Sequence, residues 1–161
     1  MPAPLLFLFD YVSPYSYLAS TQVRALAARH GRQVEPVAVV DGGSRWAFVD
    51  ALFRAAWVER RRVDAPEVVQ QVAGEAGLDG AALVTASAAP DAKQRLRANT
   101  DEALAAGVFG VPTVRVDAEL FWGVDSLPHL DAFLAGKGAI DADMLARWRA
   151  VSPSVTRKAG A

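Results

Sequence analysis

Five consecutive apolar residues, Leu5-Leu6-Phe7-Leu8-Phe9, constrain this chain more than any other stretch. The run does not alternate between apolar and polar, so it suits a β-strand buried on both faces, in a parallel or mixed sheet between helices. It ends at Asp10, and Ser13-Pro14 leads into an apolar-periodic segment, residues 15–29. Ser is a favoured N-cap and Pro a favoured first helical residue. The stretch therefore predicts a strand, a tight turn and a helix start, with two hydroxyls, Ser13 and Ser16, at the helix N-terminus. Unpaired N–H groups and the positive end of the dipole make such a place suited to an anion. A plain, well-capped helix after a buried strand accounts for the same residues.

The helix over 15–29 offers Tyr17, Leu18, Val23 and Leu26 as a core face, and His30-Gly31 ends it. His30 there reads as structural, a cation favoured by the helix C-terminus. A second strand is predicted over 33–40, and a β-helix-β unit of this length is expected to be parallel and right-handed. Asp41-Gly42-Gly43-Ser44 breaks the chain. Four helical stretches follow, over 45–62, 64–76, 79–88 and 91–106. The first closes on Arg60-Arg61-Arg62, a solvated basic cap, and carries Trp46 and Trp57 as possible pocket lining. Residues 108–116 return to strand character. A hairpin at 117–119, an answering strand 120–122, and a helix 127–134 capped by Asp125 or Ser126 come next. A final helix over 141–150 precedes a tail from residue 152 that is expected to fray.

At 161 residues the chain is one domain with room for a real core. A formal net charge of −1 gives no support for a nucleic-acid or anionic-membrane partner. The 5–9 run is too short to span a bilayer and lacks the flanks of a signal peptide, so a cytoplasmic location is expected. There is no cysteine, which excludes disulfides, thiolate metal sites and a thiol carried by the chain itself. With only His30 and His129, far apart in sequence, no metal site is expected. Any sulfur chemistry must arrive on a ligand.

The order strand, helix, strand, helical block, strand, hairpin strand, helix is that of an α/β thioredoxin-like fold interrupted by an inserted all-helical region. Residues 1–43 and 108–150 make the thioredoxin-like part, 44–107 the insertion and return helix, and 151–161 the tail. Val111-Pro112 at the start of a strand is where a cis peptide can sit. A cis turn there leaves the Val111 backbone N–H and C=O free to pair with an extended ligand. In this topology that edge lies beside the helix start at Ser13, so both are expected to converge on one ligand.

Three separated motifs carry a family resemblance: Phe9-Asp10-Tyr11-Val12-Ser13-Pro14-Tyr15-Ser16-Tyr17-Leu18-Ala19, Val108-Phe109-Gly110-Val111-Pro112-Thr113 and Phe121-Trp122-Gly123-Val124-Asp125. Together they resemble the 2-hydroxychromene-2-carboxylate isomerases, relatives of the kappa-class glutathione transferases and of the thioredoxin-fold disulfide oxidoreductases. Phe53-Arg54-Ala55-Ala56-Trp57 and Arg95-Leu96-Arg97-Ala98-Asn99-Thr100 are similar to the family's helical stretches. The resemblance implies that Ser13 is the catalytic residue, standing where the oxidoreductases carry their attacking cysteine and donating a hydrogen bond to the sulfur of bound glutathione. A hydroxyl and a helix N-terminus both favour thiolate over thiol. It further implies that Val111 and Pro112 hold the cysteinyl backbone of glutathione. Trp122, Gly123, Val124 and Asp125 would hold its γ-glutamyl end, with Asp125 on the α-ammonium, a role compatible with N-capping. Asp10 is expected to be structural, and Tyr15 and Tyr17 to be wall or core.

The implied reaction is a redox-neutral isomerisation of a small aromatic substrate, with the cofactor thiolate as nucleophile and the protein supplying orientation. The sequence departs from the family after Val40, where relatives carry several tens of further residues that include lysine and asparagine contacts. A shortened insertion predicts exposed apolar surface, which a homodimer would bury. A transferase acting on another electrophile, or a non-catalytic binding domain on the same scaffold, remains the alternative.

Overall fold

The computed structural model describes residues 3–37, 45–137 and 150. The end of the second strand over 38–40, the breaker at 41–44, the final helix apart from Ala150, and the tail lie outside the described residues.

A four-stranded mixed sheet, ordered β2-β1-β3-β4, forms the centre. β1 (Leu5–Leu8) pairs parallel with β2 (Val34–Val37), Leu5 opposite Val34. The other side of β1 pairs antiparallel with β3 (Thr113–Val116), Phe7 opposite Val114. β3 turns through Asp117 into β4 (Glu119–Trp122), Thr113 opposite Trp122. The apolar run thus occupies an interior strand, with Leu5 and Phe7 fully buried.

On one face of the sheet, α1 (Pro14–Arg29) and α6 (Leu127–Leu134) close the main core with Val114 and Val116. The buried stripe of α1 runs through Ser16, Ala19, Ser20, Val23, Leu26 and Ala27. Small residues at 16, 19, 20 and 27 let the helix approach the sheet closely. Leu18 falls off that stripe. It is not a core residue as its hydrophobicity suggests, because at 3.6 residues per turn it shares a face with Tyr15 instead.

Among the described residues between β2 and β3 the elements are all helices: α2 (Arg45–Trp57), α3 (Pro66–Glu75), α4 (Gly80–Ala88) and α5 (Pro90–Ala105). This is a thioredoxin-like α/β fold with an inserted helical region. α2 and α3 share a second core, with Phe48, Leu52, Ala55, Val72 and Ala73 buried. Fully buried Phe53 joins that unit to the sheet through rings 5.5 Å from Phe9, 5.0 Å from Tyr11 and 6.0 Å from Tyr17. Trp46 stacks on Phe7, donates its indole N–H to the Val34 carbonyl and carries the Arg24 guanidinium over its ring.

Several boundaries differ from the sequence expectation. α2 stops at Trp57, because Arg60 adopts a left-handed φ of 57° and no helix continues through it. The basic run follows the end of α2, where the Arg61 N–H donates to the Ala55 carbonyl, while its side chains form ion pairs, Arg61 with Glu59 and Glu75 and Arg62 with Asp64. Asp64 is one residue short of the N-cap of α3, which is Ala65. Residues 108–112 form no strand, and β3 begins only at Thr113. α5 lies largely exposed, tied to the sheet by an ion pair from Glu102 to Arg115. A cavity of about 240 Å³ separates Leu8 and Val37 from Leu96, Asn99 and Leu104 of α5.

Candidate functional site

The loop from β1 to α1 is stapled by its own polar groups. Asp10 accepts from the Val12 N–H through its carboxylate and from the Ser13 N–H through its carbonyl. The Asp10 N–H donates to the hydroxyl of Ser16, which is fully buried. Ser13 is the N-cap: its φ and ψ are extended, and its Oγ accepts from the Ser16 N–H at 3.2 Å. As acceptor in that bond, the hydroxyl keeps its proton for another partner.

Across from this loop the chain leaves α5 and crosses to β3. Val108 is buried and Phe109 exposed, and the Val111–Pro112 peptide is cis. The Thr113 hydroxyl donates to the Gly110 carbonyl at 2.7 Å, fixing the turn from beneath. Neither the N–H nor the C=O of Val111 has a hydrogen-bond partner among the described residues. An unpaired backbone edge of this kind can take an extended segment as a further strand would.

The third wall is the end of β4. The Trp122 indole lies so close over Gly110 that a Cβ there would meet Nε1 at 2.6 Å, and its ring packs on Phe109 at 4.9 Å. Gly123 donates its N–H to the Pro112 carbonyl at 2.9 Å, locking this segment to the cis turn. Its φ of +86° lets the chain turn into a 3₁₀ turn, Val124–Ser126, ahead of α6. Ser126 is the N-cap of α6, one of the two residues expected there, but it caps without its side chain: its hydroxyl donates back to the Gly123 carbonyl, and the Asp125 carboxylate folds over Gly123. Asp125 is exposed and has no hydrogen-bond or ionic partner among the described residues.

These walls enclose a cavity of about 610 Å³ lined by Tyr15, Leu18, Val111, Pro112 and residues 122–125. Six of the seven residues singled out in the sequence are therefore brought together. Ser13 is not among the lining residues; it sits two positions before Tyr15 at the end of α1 that points to the cavity. Leu18 was missed as a lining residue, and its helical phase three positions after Tyr15 was the signal for it. Tyr15 is wall, as expected, whereas Tyr17 packs on Phe53. Trp46 and Trp57 line neither cavity; the Trp57 indole donates to the Tyr11 carbonyl. His30 is structural: its Nε2 lies 2.7 Å from Asp131 Oδ1, which also accepts from Arg29. Those two partners hold the Asp131 carboxyl below the usual carboxylate range. Among the described residues no cluster of side chains could hold a metal ion.

The sequence profile of the DSBA-like thioredoxin domain family matches residues 37–135. The chain is 25% identical to the 2-hydroxychromene-2-carboxylate isomerase of Sphingobium xenophagum, an alignment that covers 80% of this chain and 96% of the relative. It is 23% identical to the isomerase of the same name from Pseudomonas putida, over 86% and 97% of the two chains. The first alignment runs over 187 positions, more than the 161 residues of this chain, so that relative has residues without a counterpart here. Among solved structures, a 2-hydroxychromene-2-carboxylate isomerase superposes with a TM-score of 0.70 at 22% identity, over 92% of this chain and 98% of that one. The oxidoreductase DsbA from Xylella fastidiosa superposes with a TM-score of 0.61 at 21% identity, over 84% and 86%. At those identities the structural likeness speaks to the fold.

Proposed function

The chain belongs to the DSBA-like thioredoxin domain family, and from that premise we propose that it is a glutathione-dependent isomerase of the 2-hydroxychromene-2-carboxylate kind. The observation that carries the reading is the cavity itself, where an open backbone edge at Val111 and an unpaired carboxylate at Asp125 face one space. Glutathione is an extended peptide with an α-ammonium at one end, so these residues fit it. The absence of cysteine separates the chain from oxidoreductases that carry their own thiol and leaves the sulfur to the ligand.

Glutathione, held by these residues, would supply a thiolate for a redox-neutral isomerisation. The chain's own residues hold and orient. Val111 pairs with the cysteinyl backbone, while Pro112 and Trp122 shape the wall. Residues 123–125 receive the γ-glutamyl end, Asp125 taking its ammonium. Ser13 donates its hydroxyl proton toward the sulfur, and the α1 dipole favours the anion. The substrate is a small aromatic electrophile, the enzyme works in the cytoplasm, and two copies of the chain associate to cover exposed apolar side chains such as Leu96 and Leu104.

A second reading, a binding domain without catalysis, is favoured by one observation: Ser13 serves as a helix cap and lies outside the cavity lining. Ultraviolet thiolate absorbance of glutathione titrated with the protein separates the two. In the isomerase reading the bound thiol ionises at lower pH than the free one, and Ser13→Ala moves that pH back up. Binding with no change in ionisation, together with no turnover of 2-hydroxychromene-2-carboxylate, supports the second reading and overturns the first.

A further inference from the structure

Val111 lines two cavities: the space of about 610 Å³ walled by Trp122 and Asp125, and the space of about 240 Å³ between the sheet and α5. The two adjoin at the cis turn. On the sheet side the smaller cavity meets Leu8 at the end of β1 and Val37 at the end of β2. On the helix side its shape follows from the inward face of α5. Along that helix Ala92 is buried, Asn99 and Ala103 are half-buried, and every other position is exposed. These three residues recur at helical spacing, seven and four apart, so they share one face. At Ala103 a single methyl group stands where a leucine would fill the gap, and the space remains open toward Leu8 and Val108. An apolar cavity of about 150 Å³ accepts a benzene ring, so this one has room for one ring or two fused rings. Of the two polar side chains that α5 turns to it, the Thr100 hydroxyl already donates to the Leu96 carbonyl at 2.8 Å. The Asn99 carboxamide offers both donors and an acceptor to a ligand.

We propose that this second cavity holds the aromatic ring of the substrate on the α5 side of the cis turn, with the Asn99 carboxamide hydrogen-bonded to an oxygen on the ring. The inference rests on the isomerase reading and adds to it the place and class of the second reactant: a flat, one- or two-ring aromatic carrying a phenol-type oxygen. Leu8, Val108 and Ala103 bury the ring face, and Asn99 selects which edge turns inward. In that reading the Val111 backbone pairs with the cysteinyl unit of glutathione, so ring and thiol come together at the residue that both cavities share.

Calorimetry and amide NMR on the full chain, with 2-naphthol as the probe, test this. The expected result is saturable binding at about millimolar concentration or below, with amide shifts at Leu8, Asn99, Ala103 and Val108, and the same affinity when glutathione is present. Ala103→Phe fills the cavity and should weaken the naphthol about tenfold or more while glutathione binds as it does to wild type. Asn99→Leu keeps the side-chain size and should weaken the naphthol about fivefold, the loss of one neutral hydrogen bond. Shifts confined to Tyr15, Leu18 and residues 122–125, with glutathione displacing the naphthol, put the ring in the other cavity and overturn the inference. Equal affinity for wild type and both variants overturns it as well, as does a titration without saturation up to about 3 mM. Naphthol binding as expected in a protein that does not bind glutathione supports the ring site and overturns the glutathione reading alone.

Discussion

A Cβ on Gly123 would collide with the Asp125 carboxylate, and its φ of +86° is one that side chains rarely adopt. Gly123→Ala is therefore expected to lower stability by about 1–2 kcal/mol in chemical denaturation. It also displaces the carboxylate, so glutathione binding should weaken in the same variant. Tyr11 runs the other way. Its hydroxyl is buried with no hydrogen-bond partner among the described residues, and burial, aided by the negative charge of Asp50, pushes the phenol well above its usual value. An unmet buried hydroxyl costs about 1–3 kcal/mol, so Tyr11→Phe should leave the melting temperature unchanged or raise it. A clear fall in the melting temperature would show that the hydroxyl has a partner. At this scale the sequence was informative where a residue has one physical role. Pro112, a cis proline at the mouth of a strand, was legible. Asp125 was not, because a carboxylate before a helix looks the same whether it caps the helix or folds over a glycine.

The C-terminal end of α1 is joined to the middle of α6 by Asp131, which accepts from both His30 and Arg29. Its carboxyl is held below the usual range, so folding opposes its protonation, and the tie stabilises above the ordinary carboxylate value of about 4. The contribution fades as pH falls below that. Asp131→Asn is accordingly expected to melt below wild type at pH 6, with the offset narrowing as pH falls below the ordinary carboxylate value; an offset that stays constant with pH would contradict the tie. The helical insertion is held to the sheet by Phe53, which is fully buried among Phe9, Tyr11 and Tyr17. Phe53→Ala should cost about 3–5 kcal/mol and loosen the β1–α1 loop along with the insertion, read by denaturation and by amide exchange at residues 10–13. Elements with strong periodicity were legible in the sequence. The ends were not: Arg60 stops α2 by a left-handed backbone that no propensity marks, and the apolar run at 108–112 looks like strand while the cis turn holds it out of the sheet.

Over the whole molecule, the strand order β2-β1-β3-β4 puts the start of α1, the cis turn and the end of β4 at one edge, and the cavity follows from that topology. Residues separated by about a hundred positions thus share a site that no local pattern reveals. The relation could be inferred from the sequence only through the order of elements. The exposed side of α5, with Leu96 and Leu104 more than half exposed, presents apolar surface to solvent. The proposed homodimer should be seen by light scattering coupled to size exclusion, and a monomer at tens of micromolar would contradict that part of the account.

The central claim is that Val111 and Asp125 together hold a glutathione molecule, and calorimetry of glutathione with wild type and Asp125→Ala tests it most directly. The account predicts saturable binding to wild type at about millimolar concentration or below, and about tenfold or greater weakening in the variant. A wild-type titration without heat up to about 10 mM, or equal affinity for the two proteins, contradicts it.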